Sequence, residues 1–380
     1  MPSPAALSYE NPLNRLRRVD FFLLSCFGLV LVIGMFFIAS ACRGESDSTS
    51  AGFLVRQIVF VGIGLSVFFA LQRVSYLSIL RHAPLLYLIG LVLLCGVFAT
   101  RPINGARSWY NLYFFKLQPS ELMKPILILT LAHYLMYRDS YKKLAGLFVP
   151  LVLVAVPLLL ILKQPDLGTF LAMSPLLFVM LFAAGARLWH LLLMMMCGFG
   201  GMVLMWFTVM KDYQKRRVLA WLYPEEYRLG EAWQLLRSET AIGSGGFWGK
   251  GWGESSQTGL NLLPEKHTDF IFAVVAEEGG FVLAALLLLL IFFAVLSALG
   301  IAERTREPAG RLIVVGCITM LCSQALINAG VALGLLPTTG LTLPFVSYGG
   351  SSILSSFICL ALIVNVGSTH VPVLSREDFS

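Results

Sequence analysis

One run in the C-terminal half, Glu265-Lys266-His267-Thr268-Asp269, sets a carboxylate directly before a long apolar stretch. Such a carboxylate has two readings. It can cap a helix, held ionised by backbone N–H groups and the helix dipole. It can also serve chemistry, taking a proton from an attacking hydroxyl. Thr268 would cap the helix equally well, which favours the second reading for Asp269. Glu277 and Glu278 follow two turns deeper, with Glu277 near the Asp269 face. Carboxylates along an apolar helix point to a polar cavity rather than to lipid.

Other polar residues gather in a few stretches between apolar runs. In Leu117-Gln118-Pro119-Ser120-Glu121-Leu122-Met123-Lys124, Ser120 is placed to cap a helix that then carries Glu121 and Lys124 three residues apart on one face. That pair either neutralises itself or presents a cation to a phosphate, with a carboxylate holding the cation or a metal. Arg107 beside Trp109 suits a diphosphate and a stacked sugar ring, although Trp109 would also fit an interfacial aromatic belt. Asp166 in Gln164-Pro165-Asp166-Leu167-Gly168 marks a tight turn and a possible cap. The glycine-rich run 241–253, with Ser244 and Lys250, lacks P-loop spacing, but its N–H groups could cradle an anion. Prolines, glycines and hydroxyls crowd 334–352, which therefore reads as a broken, re-entrant segment lining a cavity. His267, Ser347 and Tyr348 lie in these same runs and complete the substrate-binding candidates.

The elements that must position these groups are membrane helices. Hydrophobic residues make up 57% of the chain and charged residues 13%, with mean hydropathy +0.79. Soluble domains carry about a quarter charged residues, so this chain cannot present a mostly polar surface to water. Runs of about 20 apolar residues, the length of a transmembrane helix, sit near 20–41, 53–71, 76–98, 119–136, 144–162, 168–186, 188–209, 269–299, 312–335 and 347–368. The expectation is an all-α polytopic protein of about ten transmembrane helices. Residues 1–380 form a single integral membrane domain, and 211–268 form a large extracytoplasmic loop between helices 7 and 8. The net charge of +7 is scattered through short connectors, which fits positive-inside topology rather than nucleic-acid binding. Arg15, Arg17, Arg18, Arg73, Arg138, Lys142, Lys143, Arg187, Arg304, Arg306 and Arg311 then share the cytoplasmic side with both termini. The polar clusters fall on the outer side. Ala39-Ser40-Ala41-Cys42 resembles a signal-peptidase or lipoprotein site, but its apolar stretch is longer than a usual h-region, so an uncleaved first helix is expected. The seven cysteines show neither CxxC nor metal-ligand spacing and read as packing residues.

The runs LPEKHTDFIFAVVAEE, AIGSGGFWGKG and LLPTTGLTLPFVSYGGSS, with NGARSW, LQPSE and QPDLGT before them, resemble the SEDS proteins (shape, elongation, division and sporulation) over nearly the whole chain. The resemblance implies a ten-helix peptidoglycan glycosyltransferase of the bacterial cytoplasmic membrane, using lipid II. It implies that Asp269 is the essential aspartate, with Glu121 and Lys124 as a functional polar pair and Asp166 as a further acidic position. It also implies a divalent metal (Mg2+ or Mn2+), for which Asp269 is a candidate ligand, and a class B penicillin-binding transpeptidase as partner. Lys266 and Lys250 lean towards the elongation branch, RodA. The stretch 253–257 and the lack of a double glutamine before Ser238 lean towards the division branch, FtsW.

The expected reaction has the growing glycan on its undecaprenyl-diphosphate anchor as donor and a lipid II hydroxyl as acceptor. Asp269 acts as general base, attack inverts the anomeric centre, and Lys124, Arg107 or a divalent ion meets the diphosphate. A lipid II flippase is the main rival, because broken helices and intramembrane charges also suit transporters. A non-catalytic scaffold for a transpeptidase is the third reading.

Overall fold

The structure is a computed structural model that describes residues 20–43, 47–100, 107–112, 115–136, 143–208, 210, 212–259 and 262–369. Asn104–Ala106, Arg15, Arg17, Arg18, Arg138 and Lys142 lie outside them.

Helix α1 (Phe21–Ala41) is capped by Asp20, whose carboxylate accepts the Leu23 N–H at 3.1 Å. Helix α2 is Asp47–Gln72. The expected span 76–98 divides into α3 (Tyr76–Arg81) and α4 (Ala83–Gly96). Pro84 opens α4 and has no N–H to continue α3. A short hairpin follows, β1 (Tyr110–Leu112) antiparallel to β2 (Phe115–Leu117), with Tyr110 opposite Leu117. Then come α5 (Pro119–Leu135), α6 (Phe148–Lys163), α7 (Leu167–Ala184) and α8 (Leu188–Thr208). Within the long loop lie α9 (Asp212–Leu222), α10 (Trp233–Gly245) and α11 (Ser256–Gly259). The chain closes with α12 (Ile271–Arg304), α13 (Pro308–Ala332) and α14 (Gly350–Ser368).

Among the described residues, eight helices are long and apolar enough to cross a membrane, and Ala83–Ala99 is a shorter apolar one. The expected span 119–136 corresponds to α5, 17 residues long and interrupted by Glu121 and Lys124. Helices α13 and α14 form the centre, 67% and 78% buried over their apolar windows, against 6% for α8. They pack on each other, with α12 and α8's neighbour α7 against α13 and α2 against α14. All seven cysteines are free, with Cys26, Cys42, Cys317 and Cys359 buried in this packing and Cys95 and Cys197 exposed.

Two interruptions position the site. The first is inside α12, where Gly280 takes φ 67° and ψ −171°. A Cβ there would run into the backbone of Phe247, Trp248 and Gly249, so the site needs glycine. The strap 246–251 fills the break. Lys250 and Gly251 donate their N–H groups to the Glu277 and Glu278 carbonyls, and Phe281 and Val282 donate to Gly246 and Phe247. These bonds satisfy backbone groups that lipid could not. The second interruption is the non-helical stretch between α13 and α14, whose Leu341, Leu343, Phe345 and Val346 are buried.

Candidate active site

Asp269 closes a tight turn rather than capping a helix. The Glu265 carbonyl accepts the N–H groups of Thr268 and Asp269, and the cap position of α12 is Phe270, with no side-chain cap bond. Thr268 is not the cap either, since its hydroxyl bonds back to Glu265. The Asp269 carboxyl is half-buried and pushed up from 3.8 to about 7. Burial is the main cause. Glu265 adds to the rise, while a Thr268 hydrogen bond and Arg217 oppose it.

This carboxyl faces a cavity of about 730 Å³, within the range of small-molecule sites. Its walls come from the start of α2, the hairpin, the α6–α7 turn, the 265–269 turn and the re-entrant segment. Those are the segments the sequence assigns to the outer side. Trp109, Glu121, Asp166, His267, Asp269 and Tyr348 all line it. His267 packs on Phe53 and Tyr348, with ring centroids 4.8 and 5.7 Å apart. Arg56 and Lys116 supply its cations. Neither is conspicuous in sequence, because Arg56 interrupts an apolar run and Lys116 sits alone in β2. Arg56 hydrogen-bonds Tyr348, whose hydroxyl burial raises above its ordinary value.

Asp166 does cap α7, accepting the Thr169 N–H at 3.0 Å, yet its other oxygen faces outward to Gln118 Nε2 and Ser120 Oγ at 2.8 and 3.2 Å. Ser120 thus bonds across to Asp166 and does not cap α5, whose cap position is Gln118. Lys124 is fully buried with Nζ 2.6 Å from Glu121 Oε1, behind the cavity wall. Glu121 Oε2 has no hydrogen-bond partner among the described residues.

Several candidates stand elsewhere. Arg107 is exposed and donates to the Phe98 carbonyl at 3.1 Å, outside the cavity lining. Lys250 is held by Glu277, Ser244 and Ser256 at 2.6–2.7 Å. Glu277 also accepts the N–H groups of Ser256 and Gln257, and Glu278 accepts Ser40 Oγ and the Gly253 N–H. The two glutamates therefore anchor the strap instead of lining a cavity, and the N–H groups of Lys250, Gly251 and Gly253 are spent on Glu277 and Glu278 of α12 rather than on a substrate anion. Ser347 is buried and braces the site from behind, donating to the Thr268 carbonyl at 2.6 Å and accepting the Leu343 N–H.

A smaller polar pocket adjoins Asp269 on its other side, lined by Arg217, Gln234, Asn328 and Thr339 among others.

Three comparisons bear on this arrangement. The family profile described as Cell cycle protein, which spans FtsW, RodA and SpoVE, matches residues 18–371. The probable peptidoglycan glycosyltransferase FtsW of Trichlorobacter lovleyi is 37% identical, over 91% of this chain and 90% of its own. Among solved structures, a chain of a peptidoglycan synthase complex that coordinates polymerization and crosslinking superposes with TM-score 0.79. It is 33% identical and covers 92% of this chain and 97% of that one. The rod shape determining protein RodA of Thermus thermophilus gives TM-score 0.68 at 31% identity, over 92% of this chain and 96% of that one. The higher identity to the FtsW relative does not follow the sequence's lean towards the elongation branch. With a profile match over nearly its full length and these full-length similarities, the chain belongs to the SEDS family of FtsW, RodA and SpoVE proteins.

Proposed function

We propose that this chain is a peptidoglycan glycosyltransferase that polymerises lipid II into glycan strands. The reading rests on one observation above all: a carboxyl that caps nothing, with a pKa of about 7, set in the wall of a cavity that also holds Arg56 and Lys116. A base poised near neutral pH balances ionisation against proton-accepting strength. The chemistry is common to the elongation and division branches.

Asp269 takes the proton of the acceptor hydroxyl as that oxygen attacks the anomeric carbon. The glycosidic bond forms as the bond to the lipid diphosphate breaks, and attack from the opposite face inverts the centre. Arg56 and Lys116 meet the charge that develops on the departing diphosphate. Trp109 and His267 offer ring faces for a sugar, and Tyr348, held by Arg56, fixes the cavity edge. Glu121 lines the wall, its charge neutralised from behind by the buried Lys124.

A divalent cation fits this donor set only in part. Among the described residues no cluster of three His, Cys, Asp or Glu side chains stands ready for a metal. Mg2+ commonly takes one or two carboxylates together with substrate phosphates, and Asp269 is the residue placed to hold it. Such an ion would neutralise charge on the diphosphate.

A class B penicillin-binding transpeptidase is the proposed partner, and the cavity is proposed to open on the outer face of the membrane with both termini cytoplasmic. The similarity to a chain of a synthase complex supports the partner, and the positive-inside distribution of Lys and Arg, which leaves the cavity's polar runs on the other side, supports the orientation. The test is gel separation of products from labelled lipid II. The purified protein is expected to make long glycan, and Asp269→Asn none; normal product from the variant would remove Asp269 from the mechanism.

A further inference from the structure

Asp269 has to be held still as well as ionised, and its own side chain does not tie it to a helix. The tie comes from α13. Asn328 is 1% exposed, and its Nδ2 donates to the main-chain carbonyls of Asp269 and Leu341 at 2.8 and 2.6 Å. One carboxamide thus links the catalytic turn to the re-entrant segment and both to the central helix. Next to it, Ser347 Oγ binds the Thr268 carbonyl and the Tyr348 N–H binds the His267 carbonyl. Those two bonds join one non-helical segment to another, since both donors belong to the re-entrant segment. The Asn328 bonds run to a helix whose faces are packed by α7, α12 and α14. Directly before Leu341, Gly340 lies beside the carboxyl, where a Cβ would be in ordinary contact with Asp269 Oδ2 at 3.5 Å.

We propose that Asn328 is a positioning residue for glycosyl transfer: by binding the Asp269 and Leu341 carbonyls together, it fixes the Asp269 carboxyl against Gly340 at the cavity wall. This rests on the reading of Asp269 as the base. Misplacing a reacting group by about 1 Å costs on the order of 100-fold in rate. A residue that acts through placement changes turnover more than substrate capture.

A matched control exists in the same fold. Asn365 in α14 is also 1% exposed, and its Nδ2 donates to the carbonyls of Leu71 and Val74 at 2.7 Å each, away from the cavity. Asn328→Leu and Asn365→Leu each remove two such bonds from equally buried sites, and Asn365→Leu also removes the bond its Oδ1 accepts from the Tyr76 N–H, so the control is the harsher change. Per folded protein, N328L is expected to lower kcat by about 10- to 100-fold with KM for lipid II changed less than about threefold. N365L is expected to keep wild-type kcat. Equal losses in both variants, or wild-type turnover in N328L, would overturn the proposal. Should N328L not fold, Asn328→Ser keeps one donor and is expected to give an intermediate kcat at unchanged KM; wild-type kcat there counts equally against it. A cryo-EM structure of the variant gives a readout free of turnover. Displacement of Asp269 from Gly340 supports the positioning role, and an unmoved turn contradicts it. Failure of the wild-type protein to polymerise would sink the proposed function, while the displacement would still decide the role of Asn328.

Discussion

At the scale of single residues, Asp269 is a carboxyl kept partly from water. The folded-state pKa of Asp269, about 7, lies above its ordinary 3.8. Its ionised form therefore burdens the folded state. That burden is absent below about pH 4, grows through the interval and is full above about pH 7. Asp269→Asn is expected to raise the unfolding temperature at about pH 8 and to lose that advantage by about pH 4. A difference that is the same at both pH values would contradict the assignment. In the proposed reaction the same ionisation makes Asp269 a base, so the polymerisation rate is expected to rise with pH through about 7 on its acid limb. Lys124 behaves differently, because its ammonium and Glu121 share one buried pair. Lys124→Met leaves a buried carboxylate unpaired and is expected to cost about 3–5 kcal/mol, whereas the double variant with Glu121→Gln recovers most of it. Thermal unfolding in detergent reads both. Asp269, Asp166 and Trp109 were legible because each sits in a short polar run between apolar stretches. Arg56, Lys116 and Asn328 were not, since a lone polar residue in an apolar helix or a short strand carries no local pattern. Lys250 was legible as a cation but not as a structural one, because its partner Glu277 lies 27 residues away.

At the scale of elements, the break in α12 exists because the strap 246–251 fills it. Hydrophobic runs marked the helices well, as α1, α6, α7 and α13 show, because lipid demands about 20 apolar residues per crossing. The run 269–299 gave no sign of the break at Gly280, because a glycine pair in an apolar run is compatible with a continuous helix. Only the arrival of 246–251 beside it makes the positive φ necessary. Gly280→Ala is expected to cost about 1–3 kcal/mol in backbone strain alone, with the clash against Phe247 and Gly249 in addition. The strap should then be released. Limited proteolysis is expected to cut the variant within 246–257 faster than wild type, and equal cleavage rates would contradict the packing described here.

At the scale of the whole molecule, polar segments far apart in sequence meet at one end of a helical bundle, and this end is proposed to face outward. Cysteines introduced at Leu229, 93% exposed in the long loop, and at Arg304, at the far end of α12, test that directly. In a background lacking the exposed Cys95 and Cys197, a membrane-impermeant maleimide applied to intact spheroplasts is expected to label Leu229→Cys and spare Arg304→Cys. The reverse pattern would invert the topology. The central claim is that this bundle makes glycan rather than moving lipid. It is tested most directly by following labelled lipid II in proteoliposomes holding the wild-type protein or Asp269→Ala, with a transpeptidase partner and divalent cation supplied. Long glycan is expected from wild type and none from the variant. Lipid II that crosses the bilayer without being polymerised, equally in both, would contradict it.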